Sequence, residues 1–239
     1  MAEAGSDARA VQAAGAPARA ADAPPPTTSV ALADLDGRTA YRLLTGLVAP
    51  RPIAWVSTLS PAGVPNLAPF SFFTLLTGRP PTVMFAAGDR PGGEAKGTLA
   101  NALATGEFVV NLADRQLAEA VNATSAMVAP DVDEFALAGL ATAPSVEVAP
   151  PRVAAAPAAL EARVSQVVPV EGSPATMVLG HVLRVHVRTD LLAADGLVDA
   201  ERFGPVARLG RDEYAALGEV FRLRRPSKRA GTAEPARPA

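Results

Sequence analysis

Apolar residues along this chain fall into short runs that are separated by Gly, Pro and charged positions. IAWVSTLS (53–60), PTVMFAAG (81–88) and EFVVNLA (107–113) are short, rich in β-branched or aromatic residues, and bounded by turn residues. Such runs predict buried strands. LEARVSQVVPV (160–170) and TMVLGHVLRVHVRT (176–189) are longer and are joined by a turn-rich EGSPA, which predicts a late pair of long strands.

Helical patterns are fewer. TLANALATG (98–106) places Leu99 and Leu103 four residues apart and ends in Gly, so it predicts a short helix. RQLAEAVNATSA (115–126) and DEYAAL (212–217) predict two more. Helices are too few to alternate with every strand, which argues against a doubly wound parallel sheet. The pattern favours a mainly β fold, an antiparallel barrel with peripheral helices.

Both ends of the chain differ from its middle. Residues 1–29 are rich in Ala and Pro and almost devoid of bulky apolar side chains, and 227–239 are similar. Such segments bury too little surface to offset the entropy of ordering, so we predict disordered tails. Neither a linker nor a repeat interrupts residues 30–226, which we expect to form a single domain.

Composition narrows the function. The 239 residues have a net charge of −2, so no excess of positive charge favours a nucleic acid or a membrane as partner. The absence of Cys excludes disulfides, thiolate catalysis and Fe–S ligation. No run reaches the roughly 20 apolar residues of a membrane span, and the N-terminus lacks the apolar core of a secretory signal. We expect a cytoplasmic protein.

The usual catalytic patterns are missing. His181 and His186 are five residues apart in one predicted strand, so they should point to opposite faces. We expect His181 in a core or an interface and His186 on an exposed polar ridge. No cluster has the spacing of metal ligands, so no metal is predicted. A Gly-x-Ser-x-Gly elbow and a Gly-x-Gly-x-x-Gly fingerprint are both absent, and we assign no catalytic residue.

One candidate binding stretch is GGEAKGTLAN (92–101). A Gly pair leads to Lys96 and then to Thr98 at a predicted helix start. A helix N-terminus offers N–H groups and a partial positive charge, which suit a phosphate. The alternative is that Thr98 caps the helix and Lys96 is merely solvated.

The other candidate stretch is PNLAPFSFF (65–73). In strand geometry Phe70 and Phe72 share one face, and Ser71 and Phe73 take the other. The prolines break the ladder and leave backbone groups that could hydrogen-bond the edge of a flat aromatic ligand. The alternative is a bulged core strand, which composition alone favours.

Taken in order, these stretches resemble a known family. YRLLTGLVAPRPIAWVST, GVPNLAPFSFF, KGTLAN, TGEFVVNL, NATSA, VDEF and GRDEYAALGEVFRLRRP are similar to motifs of the flavin reductase-like proteins. These are FMN-binding split-barrel proteins, related to flavoredoxin and to the reductase components of two-component monooxygenases. The resemblance covers residues 41–226. The family pattern usually reads Lys-Asp-Thr where this chain has Lys96, Gly97 and Thr98.

The resemblance implies an antiparallel FMN-binding split barrel, usually a homodimer. It also implies hydride transfer from NADH or NADPH to the flavin, which passes electrons to a monooxygenase or another acceptor. A phosphate and a flat ring in one ligand would explain both candidate stretches, with the phosphate at the start of the helix. The cofactor-binding residues then expected are Arg51, Trp55, Ser57, Thr58, Ala68, Pro69, Phe70, Ser71, Phe72, Lys96, Thr98 and Asn101.

Two alternatives remain open from the sequence. One is a non-enzymatic FMN-binding module or sensor, because holding a flavin and reducing it need the same pocket. The other is a split-barrel relative with a different ligand, such as haem or pyridoxal phosphate. Haem is disfavoured because the chain has no Cys and neither His lies in the candidate stretches.

Overall fold

Strands make up most of the structure, as the apolar runs predicted. The computed structural model describes residues 25–88, 97–129 and 131–224; the predicted tails, apart from 25–29, which form no helix or strand, lie outside these ranges. By its contacts the chain divides after Ala40, and the sheets belong to the second unit. The helices are α1 Gly37–Leu47, α2 Gly97–Thr105, α3 Ala118–Ala123, α4 Glu134–Leu137 and α5 Ala200–Phe203, with 3-10 turns at Leu32–Asp34, Arg115–Leu117 and Thr189–Leu191. The strands are β1 Arg51–Pro52, β2 Ala54–Leu59, β3 Pro65–Phe70, β4 Phe73–Gly78, β5 Pro81–Gly88, β6 Glu107–Leu112, β7 Thr142–Ala143, β8 Arg152–Val153, β9 Ala158–Pro169, β10 Ala175–Val187, β11 Val206–Arg208 and β12 Tyr214–Ala216.

The main sheet has seven strands in the order β3-β2-β6-β9-β10-β5-β4, and every pairing in it is antiparallel. One face encloses an apolar core, the Phe core, in which three Phe rings contact one another in series through tilted and edge-on contacts. The ring centroids of Phe70 and Phe85 lie 5.1 Å apart, and those of Phe85 and Phe108 lie 5.3 Å apart. β3 lies at one edge of this sheet, which leaves half of its backbone groups unpaired by strands.

A second core lies on the opposite face of β2 and β3. Trp55 and Leu67 are fully buried there, packed against Val121 of α3 and Phe135 of α4. Residues 53–59 are therefore covered on both sides, which explains their near-continuous apolar pattern. The two short helices are held against the strands by this second core.

The predicted helix over DEYAAL is wrong. Tyr214–Ala216 form β12, which pairs with β11 in a three-stranded sheet that also contains β1. The guanidinium of Arg208 lies 4.5 Å from the centre of the Tyr214 ring. Six residues are too few to sustain a helix by themselves, so cross-strand pairing determines the conformation.

The two histidines do not point to opposite faces as predicted. His181 is opposite Arg163 and His186 is opposite Ala159, and these partners are four residues apart on the same face of β9. A β-bulge between Val182 and Arg184 inserts the extra residue that reverses the alternation. The expected opposition fails because it assumed an unbroken strand.

The surroundings of the two histidines differ in part from those expected, and an interface position for His181 stays a prediction. His181 is exposed, not in a core, and its Nδ1 lies 3.1 Å from the hydroxyl of Thr82. His186 is not on an exposed ridge, because its Nε2 forms a short contact with the carboxylate of Glu161. Glu161 is fully buried and also accepts hydrogen bonds from the backbone N–H groups of Val146 and Glu147.

The predicted strand over residues 65–73 is also interrupted, so its side chains do not alternate between two faces along its whole length. β3 ends at Phe70 and β4 begins at Phe73, with a bend at residues 71–72. Phe70 and Phe73 both pack in the Phe core, whereas Phe72 is 45% exposed. Phe70 and Phe72 therefore do not share a face, because the bend removes the two-residue period.

Candidate functional site

A cavity of about 130 Å³ opens beside the edge strand β3. Four separate parts of the chain form its wall: β3, the first turn of α2, the segment that follows α3, and the start of α4. Its lining residues are Asn66, Ala68, Pro69, Gly97, Thr98, Thr124, Ser125, Ala126, Met127, Val128 and Glu134. Motifs far apart in sequence, NLAP, GTLAN, NATSA and VDEF, thus meet at one place.

Asn66 is the hub of the hydrogen bonds beside this cavity. Its Oδ1 accepts the hydroxyl of Thr98 at 2.6 Å and the hydroxyl of Thr58 at 3.3 Å. Asn101 extends the network, because its Nδ2 donates to the Thr58 hydroxyl at 3.2 Å. The first turn of α2 is thereby tied to β2 and β3 through a chain of four polar side chains.

The other end of the Asn66 amide meets Glu134. The Nδ2 of Asn66 donates to Glu134 Oε1 at 2.8 Å, and the N–H of Leu67 donates to Oε2 at 3.0 Å. Glu134 is only 5% exposed. Burial raises the pKa of this carboxyl, against the Leu67 N–H and the Asn66 amide, which favour the carboxylate.

Trp55 fixes the segment that forms the far wall. Its indole N–H donates to the Thr124 hydroxyl at 2.8 Å, and that hydroxyl donates in turn to the carbonyl of Val121 at 3.1 Å. Trp55 is fully buried and does not line the cavity. It acts on the cavity through Thr124.

The prolines of β3 determine the polarity of its outer edge. Since the Leu67 N–H points to Glu134, away from β2, Pro65 and Pro69 occupy the same outward-facing phase of the ladder. Proline has no backbone N–H, and on the outer side of an edge strand this costs no pairing, because no neighbouring strand lies there to accept it. The edge next to the cavity consequently presents backbone carbonyl acceptors and few donors.

Arg51 is placed elsewhere, against backbone carbonyls. Its guanidinium donates to Thr45 O at 2.6 Å, Val48 O at 2.8 Å and Leu209 O at 2.8 Å. The first two carbonyls belong to the end of α1, a position where a cation is favourable. Arg51 is 7% exposed and is outside the lining of the cavity.

Ser57 and Thr58 point to opposite sides of β2. The Ser57 hydroxyl donates to Pro151 O at 2.5 Å and accepts from Asn111 Nδ2 at 3.2 Å, so it lies in the interior away from Thr98. Thr58 alone of the pair joins the Asn66 network. Because successive side chains of a strand point to opposite faces, these two neighbours in sequence lie on different sides of the sheet.

The remaining predicted residues divide between core, bend and cavity. Phe70 belongs to the Phe core, and Ser71 and Phe72 form the bend. Phe72 makes an edge-on contact with Tyr41 and lies 5.8 Å from the Arg51 guanidinium. Lys96 is outside the described residues. Of the predicted set, Ala68, Pro69 and Thr98 line the cavity, and Thr58 and Asn101 support it.

The main omissions from the predicted set are Asn66, Thr124 and Glu134. Each lies within a motif of the family resemblance, so the motifs carried a signal that composition and periodicity did not. Across the described ranges, no group of three or more His, Asp or Glu side chains is placed to hold a metal ion. Within those same ranges, every helix is too short or too polar to cross a bilayer.

Comparison with known proteins places this geometry in context. The family model for the flavin reductase like domain matches residues 47–206. An uncharacterized protein of Halalkalibacterium halodurans is 44% identical over 191 residues, which are 78% of this chain and 91% of the relative.

Two solved structures are similar over nearly their whole lengths. Nitrilotriacetate monooxygenase component B from Bacillus cereus has 33% identity and a TM-score of 0.80, over 83% of this chain and 99% of its own. The 2-nitrobenzoate 2-nitroreductase NbaA from Pseudomonas fluorescens has 29% identity and a TM-score of 0.76, over 86% and 100% of the two chains.

A third structure bears on the fold alone. A protein with a split barrel domain from Shewanella frigidimarina has 22% identity and a TM-score of 0.73, over 82% of this chain and 96% of its own. Together with the antiparallel seven-stranded sheet, this similarity confirms the predicted fold class, a mainly β split barrel with peripheral helices.

Proposed function

This chain belongs to the flavin reductase-like family, and on that premise we propose that it is an FMN-dependent oxidoreductase. The hydride donor is NADH or NADPH. The observation that carries the proposal is the convergence of the α2 first turn, the β3 edge and the 124–128 segment on one cavity. A flavin nucleotide has two chemically different ends. Its anionic phosphate suits the start of α2, and its flat ring with polar edges suits the edge of β3.

The start of α2 supplies the phosphate end of the proposed site. The first turn of a helix presents N–H groups without intrahelical partners and a partial positive charge. Gly97 and Thr98 place that turn at the cavity wall, and Lys96 precedes it in sequence. The cavity volume of about 130 Å³ is below the roughly 300–1,000 Å³ of whole-ligand clefts. We therefore propose that the cavity holds only part of the nucleotide, with the phosphate at the wall formed by the first turn of α2.

The edge of β3 supplies the ring end. Carbonyl acceptors of the outward-facing phase suit an N–H of the flavin ring, and Ala68 and Pro69 add a flat apolar surface beside them. The fit depends on donors and acceptors that belong to the backbone. This is consistent with a site in which side chains carry few of the contacts.

When bound, FMN supplies the redox chemistry, because it can accept a hydride from a reduced nicotinamide. The chain itself needs no acid–base dyad. Its residues bind the phosphate, hold the ring edge and restrict water around the two reacting rings. This accounts for a site whose side chains are mostly amide, hydroxyl and apolar groups.

The relatives suggest where the electrons go. Component B of nitrilotriacetate monooxygenase is named as one component of a monooxygenase, and NbaA is named as a nitroreductase. We propose that reduced flavin from this chain serves a partner monooxygenase or another small acceptor. The partner supplies the substrate specificity in that arrangement.

We also propose a homodimer. Leu75 and Leu76 of β4 and Leu183 and Val185 of β10 are 43–65% exposed, which is unusual for large apolar side chains on sheet strands. A second copy of the chain would cover them. Light scattering should give twice the chain mass of 24.4 kDa, and a monomer at micromolar concentration would contradict the proposal.

The decisive test is the visible spectrum of the purified protein with FMN, before and after NADH or NADPH is added without oxygen. A yellow protein that bleaches is the proposed oxidoreductase. A yellow protein that neither nicotinamide bleaches is an FMN-binding module or sensor. Failure to bind FMN at micromolar concentration would overturn both.

A further inference from the structure

Glu134 is a buried carboxylate that lines the cavity and is hydrogen-bonded to Asn66, another of the lining residues. Both of its oxygens are used: one accepts from the Asn66 side chain and the other from the Leu67 backbone. It lies in the first turn of α4 and is 95% hidden from solvent. Burying a carboxylate costs free energy, so its presence beside a cavity indicates that it has a role there.

The carboxylate determines which way the Asn66 amide faces. A carboxylate accepts hydrogen bonds and cannot donate them, so the NH₂ group of Asn66 must turn towards Glu134. The Oδ1 of Asn66 then faces the opposite way, where it accepts from the hydroxyls of Thr98 and Thr58. The donor and acceptor order of the whole network follows from the charge on one residue.

The consequence reaches the first turn of α2. Thr98 is 1% exposed and its hydroxyl donates to Asn66 at 2.6 Å, so the hydroxyl proton is engaged inside the protein. What remains for an anion at this wall is the backbone N–H groups of the turn. Their position depends on Thr98 being held by Asn66, and Asn66 being held by Glu134.

We propose that Glu134 is a positioning residue for the phosphate end of the flavin: it orients the Asn66 amide and thereby fixes the first turn of α2. The inference rests on the proposed function, because it takes FMN as the ligand. Glu134 itself makes no contact with the phosphate. Its role is confined to one end of the ligand, which separates it from general support of the fold.

The test compares FMN with riboflavin, which has the same ring and no phosphate. In Glu134→Gln the side-chain oxygen must stay on the Leu67 N–H, which cannot reverse, so the new NH₂ group faces Asn66. The Asn66 amide then turns over, and Thr98 loses its acceptor. We expect the Kd for FMN to rise roughly tenfold or more, the usual effect of losing one charge-assisted hydrogen bond, with the Kd for riboflavin unchanged within about twofold.

Thr98→Val breaks the same link from its other end without altering a buried charge. It should show the same preference for weakening FMN. In the double variant the two effects should not add, because each removes the same connection. If Glu134→Gln does not fold, the selective effect of Thr98→Val decides the question by itself.

The matched control is Glu161→Gln. Glu161 is likewise a buried glutamate that accepts from two backbone N–H groups and one side chain, but it is on β9 and does not line the cavity. Glu161→Gln should leave the Kd for FMN and the Kd for riboflavin unchanged. Equal weakening of FMN and riboflavin by Glu134→Gln would overturn the positioning role, as would additive effects or an unchanged Kd for FMN. If the wild-type chain bound no FMN, the proposed function would fail first and this role with it.

Discussion

The indole N–H of Trp55 donates to the hydroxyl of Thr124 at 2.8 Å, although the two residues are 69 positions apart in the chain. Trp55 is the second residue of β2, and Thr124 follows α3 and lines the cavity. The only Trp of the chain thus connects the barrel to one wall of the candidate site. It does so from a fully buried position, with no surface on the cavity itself.

Replacing this Trp by Phe tests the connection. Trp55→Phe keeps an aromatic ring in the second core but removes the N–H donor and leaves a small void. We expect the free energy of unfolding to fall by about 1–3 kcal/mol and FMN affinity to fall several-fold. Urea denaturation and FMN titration measure the two effects.

Tyr214→Phe is the matched control for that variant. It removes the longer, exposed hydrogen bond from the Tyr214 hydroxyl to Asn122, 3.4 Å away in the same region. We expect less than about 0.5 kcal/mol from it. Equal stability of Trp55→Phe and the wild type would show that the indole N–H does not hold this wall.

Lys96→Ala tests the cation that the sequence predicts at the phosphate end of the proposed site. Removing one charged contact should raise the Kd for FMN about ten- to a hundredfold, because such a contact contributes roughly 1.5–3 kcal/mol. Riboflavin should bind as before. Arg79→Ala, which removes an exposed cation from the turn between β4 and β5, is the control. An FMN affinity within twofold of the wild type would place the phosphate away from Lys96.

Two Gly→Ala variants should have opposite effects on stability. At Gly97 a Cβ atom would lie 3.6 Å from Asn66 Nδ2, an ordinary contact, at the first position of α2. Ala there should raise the free energy of unfolding by about 0.4–1 kcal/mol by restricting the unfolded chain. At Gly180 a Cβ atom would overlap the Phe108 ring and lie 3.2 Å from the Arg163 carbonyl.

Gly180→Ala should therefore destabilise by about 1–3 kcal/mol or more, because the Phe core has no room for the added methyl group. Both variants can be compared by urea denaturation under the same conditions. A stable Gly180→Ala variant would mean that the Phe108 ring can move. A destabilised Gly97→Ala variant would mean that the α2 start needs the absence of a side chain.

The two buried glutamates should respond oppositely to acid. Burial raises the pKa of Glu134, so its contribution to stability is fully present below the ordinary glutamate pKa and declines as pH rises. Burial acts in the same direction on Glu161, but the Glu147 N–H, the His186 ring and the Val146 N–H outweigh it and lower the pKa. The contribution of Glu161 is therefore present above the ordinary value and is lost as pH falls.

Unfolding free energies at about pH 3.5 to 5.5, around the glutamate pKa of about 4.3, measure this difference. The stability of the wild type relative to Glu134→Gln should decrease as pH rises across that interval. Relative to Glu161→Gln it should increase. Parallel slopes for the two variants would contradict the assigned directions.

Deleting residues 1–29 tests the predicted domain boundary. These residues carry almost no bulky apolar side chains, too few to offset roughly 1–2 kcal/mol of backbone entropy per residue. We expect flavin content and melting temperature to stay essentially unchanged. Loss of bound FMN, or a clearly lower melting temperature, would show that this segment covers the flavin.

The sequence was informative wherever structure depends on neighbouring residues. The runs at 53–60, 81–88 and 107–113 contain strands, and the helix predicted over 98–106 is α2, which begins one residue earlier and ends at Thr105 before a Gly of positive φ. Hydrophobic runs and helix-end residues act over a few positions, so they can be read locally. One local signal was available but unused: Asp36 caps α1 by accepting from the backbone N–H groups of Arg38 and Thr39.

The family resemblance supplied more of the site than periodicity did. NLAP, KGTLAN, NATSA and VDEF marked the segments that form the cavity, apart from Lys96, which lies outside the described residues. Within those segments it did not identify every side chain that lines the cavity. Asn66 and Glu134 were passed over, whereas Arg51 and Ser57 were chosen and form hydrogen bonds elsewhere.

Tertiary structure alone determined the rest, because those features depend on partners that are distant in the chain. A bulge between Val182 and Arg184 set the faces of the histidines, and pairing with β11 made a strand of DEYAAL. Arg51 was drawn to the carbonyls at the end of α1, and Glu134 to Asn66, 68 positions away. The sequence determined most strands of the main sheet and the family to which the chain belongs. Which polar groups meet was settled only by folding, since a buried donor or acceptor takes the partner that packing brings within reach.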